Sequence, residues 1–228
     1  MKDPKPTLLA IYDMDKTVTR RATYNGFLLH MALNKSPWRL FLSPILPVGL
    51  LLYFLKIWDR GRLKQFSQIL LIGHRVPAER FARYLDSHAD LVVGRNVYPQ
   101  LRARVAEEKA AGYRHVIATA SYRLYVEAIA HRLGFEHVIA TNLATNSSGH
   151  VLARIDGHNC YDAAKLQKVK SWMADEGLKR EDCHIRAYSD HVSDAPLLAF
   201  ADEAFATNPH APLEAMAKAN GWEILDWR

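Results

Sequence analysis

Cysteine is scarce in this chain: two in 228 residues, Cys160 and Cys183, with no CxxC pair and no Cys/His cluster. That scarcity argues against a disulfide framework or a structural zinc, and a reducing cytosol suits the chain best. Acids are nearly missing from one stretch. Between Arg20 and Arg83 eleven Lys and Arg face only Asp59 and Glu79, whereas the rest of the chain has a small negative surplus. The net charge of +6 therefore belongs to one segment, which is built to meet something anionic. Long apolar runs are missing too. The charge-free stretch over residues 40–55 has sixteen residues, short of the ~20 that a bilayer span needs. The first apolar run, five or six residues ending in acids, is not expected to act as a signal peptide. Internal repeats and low-complexity tracts are absent. No nucleic-acid module or aromatic stacking array accompanies the basic segment, so no nucleic-acid partner is expected.

What is present is alternation. "LLAIYD", "HVIATAS", "HVIATN", "CHIRAYSD" and "EAFATNP" read as short buried strands that stop at polar residues. Between them "YPQLRARVAEEKAAG", "YVEAIAHRLG", "AAKLQKVKSWMADEG" and "DAPLLAFAD" read as helices, several closing on glycine. Strand then helix, repeated, predicts an α/β fold with a doubly wound parallel sheet. "LATNSSGHVLARIDG" reads instead as a hairpin turning near Gly149. Residues 20–90 break the alternation and are expected to be all-helical. They form a cap inserted into a core of residues 1–19 and 91–228, over the carboxyl ends of the strands where open α/β sheets bind ligands.

The chemistry sits at the strand ends. Asp13 and Asp15 close the first strand, and residues two apart on a strand point the same way, so the two acids would repel each other. A divalent cation relieves that repulsion, and hard oxygen ligands suit Mg²⁺. A second acidic pair, Asp190 and Asp194, follows another strand end. Thr119 and Ser121 end a third, and Lys165 opens the helix after the hairpin. Hydroxyls and a lysine facing a metal-bound carboxylate suit a phosphoryl group, which needs positioning, neutralisation and a nucleophile. Taken singly the residues are ambiguous. Thr119 is also an ordinary strand threonine, and Lys165 has Lys168 and Lys170 as solvated neighbours.

In this order and at these places the residues resemble the haloacid dehalogenase superfamily of phosphohydrolases. Asp13-Met14-Asp15-Lys16-Thr17 matches its DxDxT motif. Thr119 matches the second motif, Lys165 the third, and Asp190 with Asp194 the fourth. A helical insertion straight after motif one matches the subfamily that includes phosphoserine phosphatases. The resemblance implies that Asp13 attacks phosphorus and Asp15 moves the proton. Asp13, Asp15 through its carbonyl, Asp190 and Asp194 would hold or orient Mg²⁺. Thr119, Ser121 and Lys165 would hold the phosphoryl oxygens, with Thr17 supporting the loop.

Two departures bear on substrate. The fourth motif reads Ser189-Asp190-His191 where the family usually has Gly-Asp-Ser or Gly-Asp-Gly. Where phosphoserine phosphatases carry a glutamate that reads the substrate, this chain has Arg20 and Arg21, which could read a substrate anion. An ammonium would meet two arginines there, which counts against phosphoserine. The cap's apolar stretch is flanked by Trp38 and Trp58 and by Arg39, Lys56, Arg60, Arg62 and Lys64, the pattern of a segment that seeks an anionic membrane surface. A single crossing would separate motif one from the other motifs, which leaves an interfacial or re-entrant hairpin. The expected substrate is thus a lipid phosphate, such as phosphatidylglycerophosphate or a lysophospholipid phosphate. The expected place is the cytoplasm, peripheral on the inner face of its membrane. The alternatives are a phosphatase of phosphoserine or another small metabolite, and a non-catalytic membrane or partner adaptor. The oligomeric state is open.

Overall fold

In the computed structural model, which describes residues 5–228, β1 (Thr7–Tyr12) enters an insertion. The insertion comprises α1 (Tyr24–Lys35), a 3-10 segment (Pro37–Ile45), α2 (Leu46–Phe54), α3 (Arg60–Leu71), β2 (Arg75–Pro77) and α4 (Ala78–Arg95). The core resumes with α5 (Pro99–Ala110), β3 (Arg114–Tyr122), α6 (Arg123–Leu133), β4 (His137–Thr145) and β5 (His150–Asp156). It ends with α7 (Ala163–Asp175), β6 (Cys183–Ser189), α8 (Ala195–Phe200), β7 (Glu203–Thr207), α9 (Ala211–Asn220) and β8 (Glu223–Leu225). The eight-stranded sheet runs β2-β5-β4-β3-β1-β6-β7-β8, with β4 through β8 of that order parallel, β5 antiparallel to β4, and β2 antiparallel to β5 at the edge.

β1 is central, and Ile11 pairs with Val116 of β3 on one side and Ala187 of β6 on the other. Its alternate residues serve two cores, as a strand buried on both faces must. Leu9 and Ile11 pack with Val169, Met173 and Leu198, while Ala10 and Tyr12 pack with Leu101, Val126 and Ile129. Below the strand tips Tyr12 stacks on Tyr188 at 4.0 Å, and Tyr188 on Phe205 at 4.5 Å. Both phenols donate to buried Glu108, at 2.6 Å from Tyr12 and 2.5 Å from Tyr188. Burial works against the Glu108 carboxylate, yet hydrogen bonds from His115, Tyr12 and Tyr188 hold its pKa below the usual value. This network fastens β1 to β6 directly beneath their reactive ends.

The insertion is not all-helical. Arg75–Pro77 pairs antiparallel with β5, extending the sheet edge under the cap, because the hairpin leaves that edge open for pairing. The helix that closes the insertion also runs past residue 90 to Arg95. Ser36-Pro37 does begin a helical segment, and it breaks where Pro44 and Pro47 bracket the change from 3-10 to α geometry.

The cap's inner side is aromatic. His88 of α4 lies edge-on to Phe27 and Tyr125 and 5.5 Å from the His30 ring, with its Nε2 unpartnered among the described residues. Burial, aided by His30, pushes its pKa down to about 4. The unfolded chain therefore takes up the proton first. Stability is full above pH ~6.5 and falls as pH drops toward 4, at up to about 1.4 kcal/mol per unit. Thermal melts across pH 7 to 4 should show that loss, and His88→Phe should flatten it. Parallel profiles for the two proteins would contradict the assignment.

Candidate active site

β1 delivers Asp13 one residue beyond its last strand position, where the Asp13 amide donates to the Tyr188 carbonyl at 2.9 Å. β6 likewise delivers Asp190. A register shift between Ala118 and Tyr122 turns the end of β3 off its ladder with β4, so that Thr119 and Ser121 face the tips of the sheet. Lys165 stands in the first turn of α7. Lys16 (φ 64°) and Asp162 (φ 57°) adopt left-handed backbone beside the site, strain that is common around reacting groups.

These residues converge. The Lys165 ammonium donates to Asp13 Oδ1 at 2.8 Å and to Asp194 Oδ2 at 2.6 Å, and all three side chains are buried. Burial disfavours the Lys165 charge, yet Asp13 and Asp194 hold its pKa above the ordinary value. Burial pushes Asp13 up to about 8; Lys165 opposes the rise, and Asp194 and Asp190 add to it. Asp190 is pushed up to about 6, chiefly by burial, with Lys16 opposing. Ser189 donates to Asp194 at 2.7 Å, whereas Asp194 Oδ1 has no protein partner among the described residues.

Asp15 is held differently. Its Oδ1 accepts the Thr23 amide and hydroxyl, each at 2.7 Å, and its Oδ2 accepts the Ser121 hydroxyl at 2.9 Å. The side chain is thus fixed from both the cap and β3 and is turned to hydroxyl partners. Among the described residues no three acids, histidines or cysteines form a complete metal cage. The arrangement still fits Mg²⁺, which keeps several waters and takes one or two carboxylates. Asp13 and Asp190 are hard oxygen donors in a cluster whose acids outnumber its one buried lysine. The residues that would hold the ion are Asp13, Asp190 and the Asp15 carbonyl, with Asp194 beside them.

Above these groups lies a cavity of about 720 Å³. Its floor carries Asp13, Asp15, Thr119, Ser121, Lys165 and the Asp190–Asp194 loop, and its wall is the cap. Three residues expected at the site lie outside this cavity. Thr17 is buried, its hydroxyl has no partner among the described residues, and it does not line the cavity. Arg20 and Arg21 line a separate groove with Tyr98 and Trp227, because Asn96 takes both of their amides and draws the chain outward after Thr19. The two arginines were expected to read a substrate anion; in the structure they do not line the cavity that holds Asp13.

Two residues were missed. Thr23 lies eight residues past Asp15, and no local pattern marks it. Lys64 of α3 reaches into the cavity. The trace it left was a lysine on the inward stripe of Arg60, Leu63, Ser67 and Leu71.

Fold and pocket together define a capped α/β hydrolase with an aspartate at the tip of its central strand. The chain belongs to the haloacid dehalogenase-like hydrolase family, whose sequence model matches residues 10–199. It is similar along its length to a protein named histidinol-phosphatase from Neisseria meningitidis, at 24% identity over 96% of this chain and 99% of that one. A phosphoserine phosphatase of Mycobacterium tuberculosis is 31% identical over 61% of this chain, which spans only 44% of that relative's length. Among solved structures, a Bordetella pertussis protein of unknown function superposes with a TM-score of 0.86 at 24% identity, covering 98% of this chain and 100% of that one. A substrate-bound phosphoserine phosphatase gives 0.62 at 16% identity, covering 98% and 94%.

Replacing Lys165 with methionine should leave Asp13 and Asp194 buried without their cation. The expected cost is about 3 kcal/mol in denaturant titrations run with chelator, partly recovered by adding Asp13→Asn. A variant as stable as wild type would show that the lysine does not offset the carboxylates.

Proposed function

We propose that this chain hydrolyses the phosphomonoester of an amphiphile, a lipid phosphate, by way of a phosphoryl group carried on Asp13. The chain is a phosphoric monoester hydrolase of the haloacid dehalogenase-like family. In the proposed course, the Asp13 oxygen not held by Lys165 attacks phosphorus and the bond to the leaving oxygen breaks. Asp15 passes its proton to that oxygen. Asp15 then takes a proton from water, whose oxygen displaces Asp13 and releases inorganic phosphate. The Ser121 hydroxyl can reverse its donor and acceptor roles as Asp15 changes protonation. Thr119 and Lys165 hold phosphoryl oxygens. Bound Mg²⁺ supplies charge neutralisation for those oxygens and for the acids around them.

The observation that carries the substrate class is the wall of the cavity. Leu28, Leu29, Leu40, Leu46, Leu50 and Leu63 line it, and every carboxylate in the cavity belongs to the core. An apolar tail fits such a wall, whereas an ammonium has no acid to meet there. The outside of the same segment supports delivery from a bilayer. Trp38, Phe41, Val48, Leu51, Phe54 and Leu55 are exposed, Phe41 by 87% and Phe54 by 75%. By length and composition Pro37–Phe54 could cross a membrane, at mean hydropathy 1.4 with only 6% of it buried. Because it is bent and continuous with the cavity wall, it suits contact at the interface, with basic flanks toward anionic headgroups. The likeness to a protein named histidinol-phosphatase favours a second reading, a small-metabolite phosphomonoester.

Phosphate release separates the two. Phosphatidylglycerophosphate in anionic vesicles should be turned over with Mg²⁺ and not with chelator, and the protein should sediment with the vesicles at low salt. The double change Phe41→Asp, Phe54→Asp should cut vesicle hydrolysis at least tenfold more than aryl phosphate hydrolysis. Rapid turnover of histidinol phosphate, with vesicles ignored, would replace the lipid by the metabolite.

A further inference from the structure

Between the phosphoryl floor and the leucine wall stands a buried cation that the hydrolysis described above does not use. Lys64 is 9% exposed, and its ammonium donates to the Ala120 carbonyl at 2.7 Å, between Thr119 and Ser121. It sits 4.2 Å from the Tyr122 ring centroid and 5.2 Å from that of Tyr24, whose hydroxyl donates to the Lys64 carbonyl at 2.6 Å. An ammonium has three protons to give, and one is placed. Among the described residues no carboxylate lies within ion-pair distance of it. Arg60, one helical turn earlier on the same face, also lines the cavity, with its guanidinium 4.6 Å over the Tyr161 ring. The cap thus presents two cations and no acid to the cavity. Burial, offset in part by Asp15 and reinforced by Arg60, draws the Lys64 pKa down to about 7. A desolvated ammonium without a counter-charge is costly, and an incoming anion removes that cost.

We infer that Lys64, with Arg60 beside it, forms a subsite for a second anion on the substrate, placed between the scissile phosphomonoester and the apolar tail. This rests on the phosphatase reading and deepens it, by asking for a substrate with two separated negative groups. A phosphodiester linking a phosphorylated headgroup to a lipid meets that description. So does a carboxylate near the ester of a soluble phosphate. The chemistry shared by both is an anion a few bonds from the leaving oxygen.

Steady-state hydrolysis by the intact chain tests this with two matched pairs: phosphatidylglycerophosphate against lysophosphatidate in mixed micelles, and phosphoglycerate against glycerol phosphate in buffer. The readout is how much further Lys64→Met lowers kcat/KM on the substrate with the second anion than on its partner. At least 30-fold excess loss is expected, carried mainly by KM, and Lys64→Arg should restore most of it. Excess loss confined to the lipid pair supports both the subsite and the lipid substrate. Confined to the soluble pair, it supports the subsite and overturns the lipid. Equal losses across both pairs, or none, would make Lys64 a strut between cap and core and overturn the inference. Should Lys64→Met misfold, Arg60→Gln read in the same assay carries the test, with a smaller excess loss expected.

Discussion

Where β1 and β6 end, three carboxylates and one ammonium are withdrawn from water together. Lys165 bridges Asp13 and Asp194, and Asp190 stands beside them without a cation of its own at that distance. Charge buried this way is tolerable only when paired, and one lysine does not pair three acids. A divalent cation held by Asp13 and Asp190 would offset that surplus. Much of the remaining architecture keeps the cluster from relaxing. The Tyr12–Tyr188–Phe205 stack and buried Glu108 lock the two strands in register below it, while Ser189 and the first turn of α7 fix it from the sides.

The cap completes the site in two ways. Thr23, at its entrance, takes hold of Asp15 with both amide and hydroxyl, so the proposed proton carrier is positioned only when the cap's first turn is in place. Its leucines wall the strand-end crevice, and in such a partly desolvated cleft electrostatic interactions are stronger than in open water. The same segment leaves large apolar side chains, Phe41 and Phe54 among them, facing outward. On the proposed lipid reading, the outside of this short segment would meet the bilayer and its inside would receive the tail.

Much of the core and its site could be read from the residues. Asp13, Asp15, Thr119, Ser121, Lys165, Asp190 and Asp194 all line one cavity, because each lies toward the end of a buried strand, follows such a strand or stands at the start of the next helix, positions that topology forces to one end of the sheet. What was not legible depends on long-range pairing. β2 is three residues of a stretch that reads as a helical connection, and it is a strand only because β5 offers it an edge. Arg20 and Arg21 lie close to motif one in sequence but are pulled away by Asn96, 75 residues downstream for Arg21. Lys64 shows the opposite error. A lysine among basic neighbours reads as solvated until α3 is seen to turn it inward.

In the proposed reaction a carboxylate oxygen of Asp13 receives the phosphoryl group. Acid quenching during turnover of an aryl phosphate, followed by peptide mapping, should find a labile phosphoryl group on the peptide carrying Asp13 and none in Asp13→Asn. A phosphoryl group trapped on any other side chain, or turnover that persists near the wild-type rate in Asp13→Asn, would contradict it.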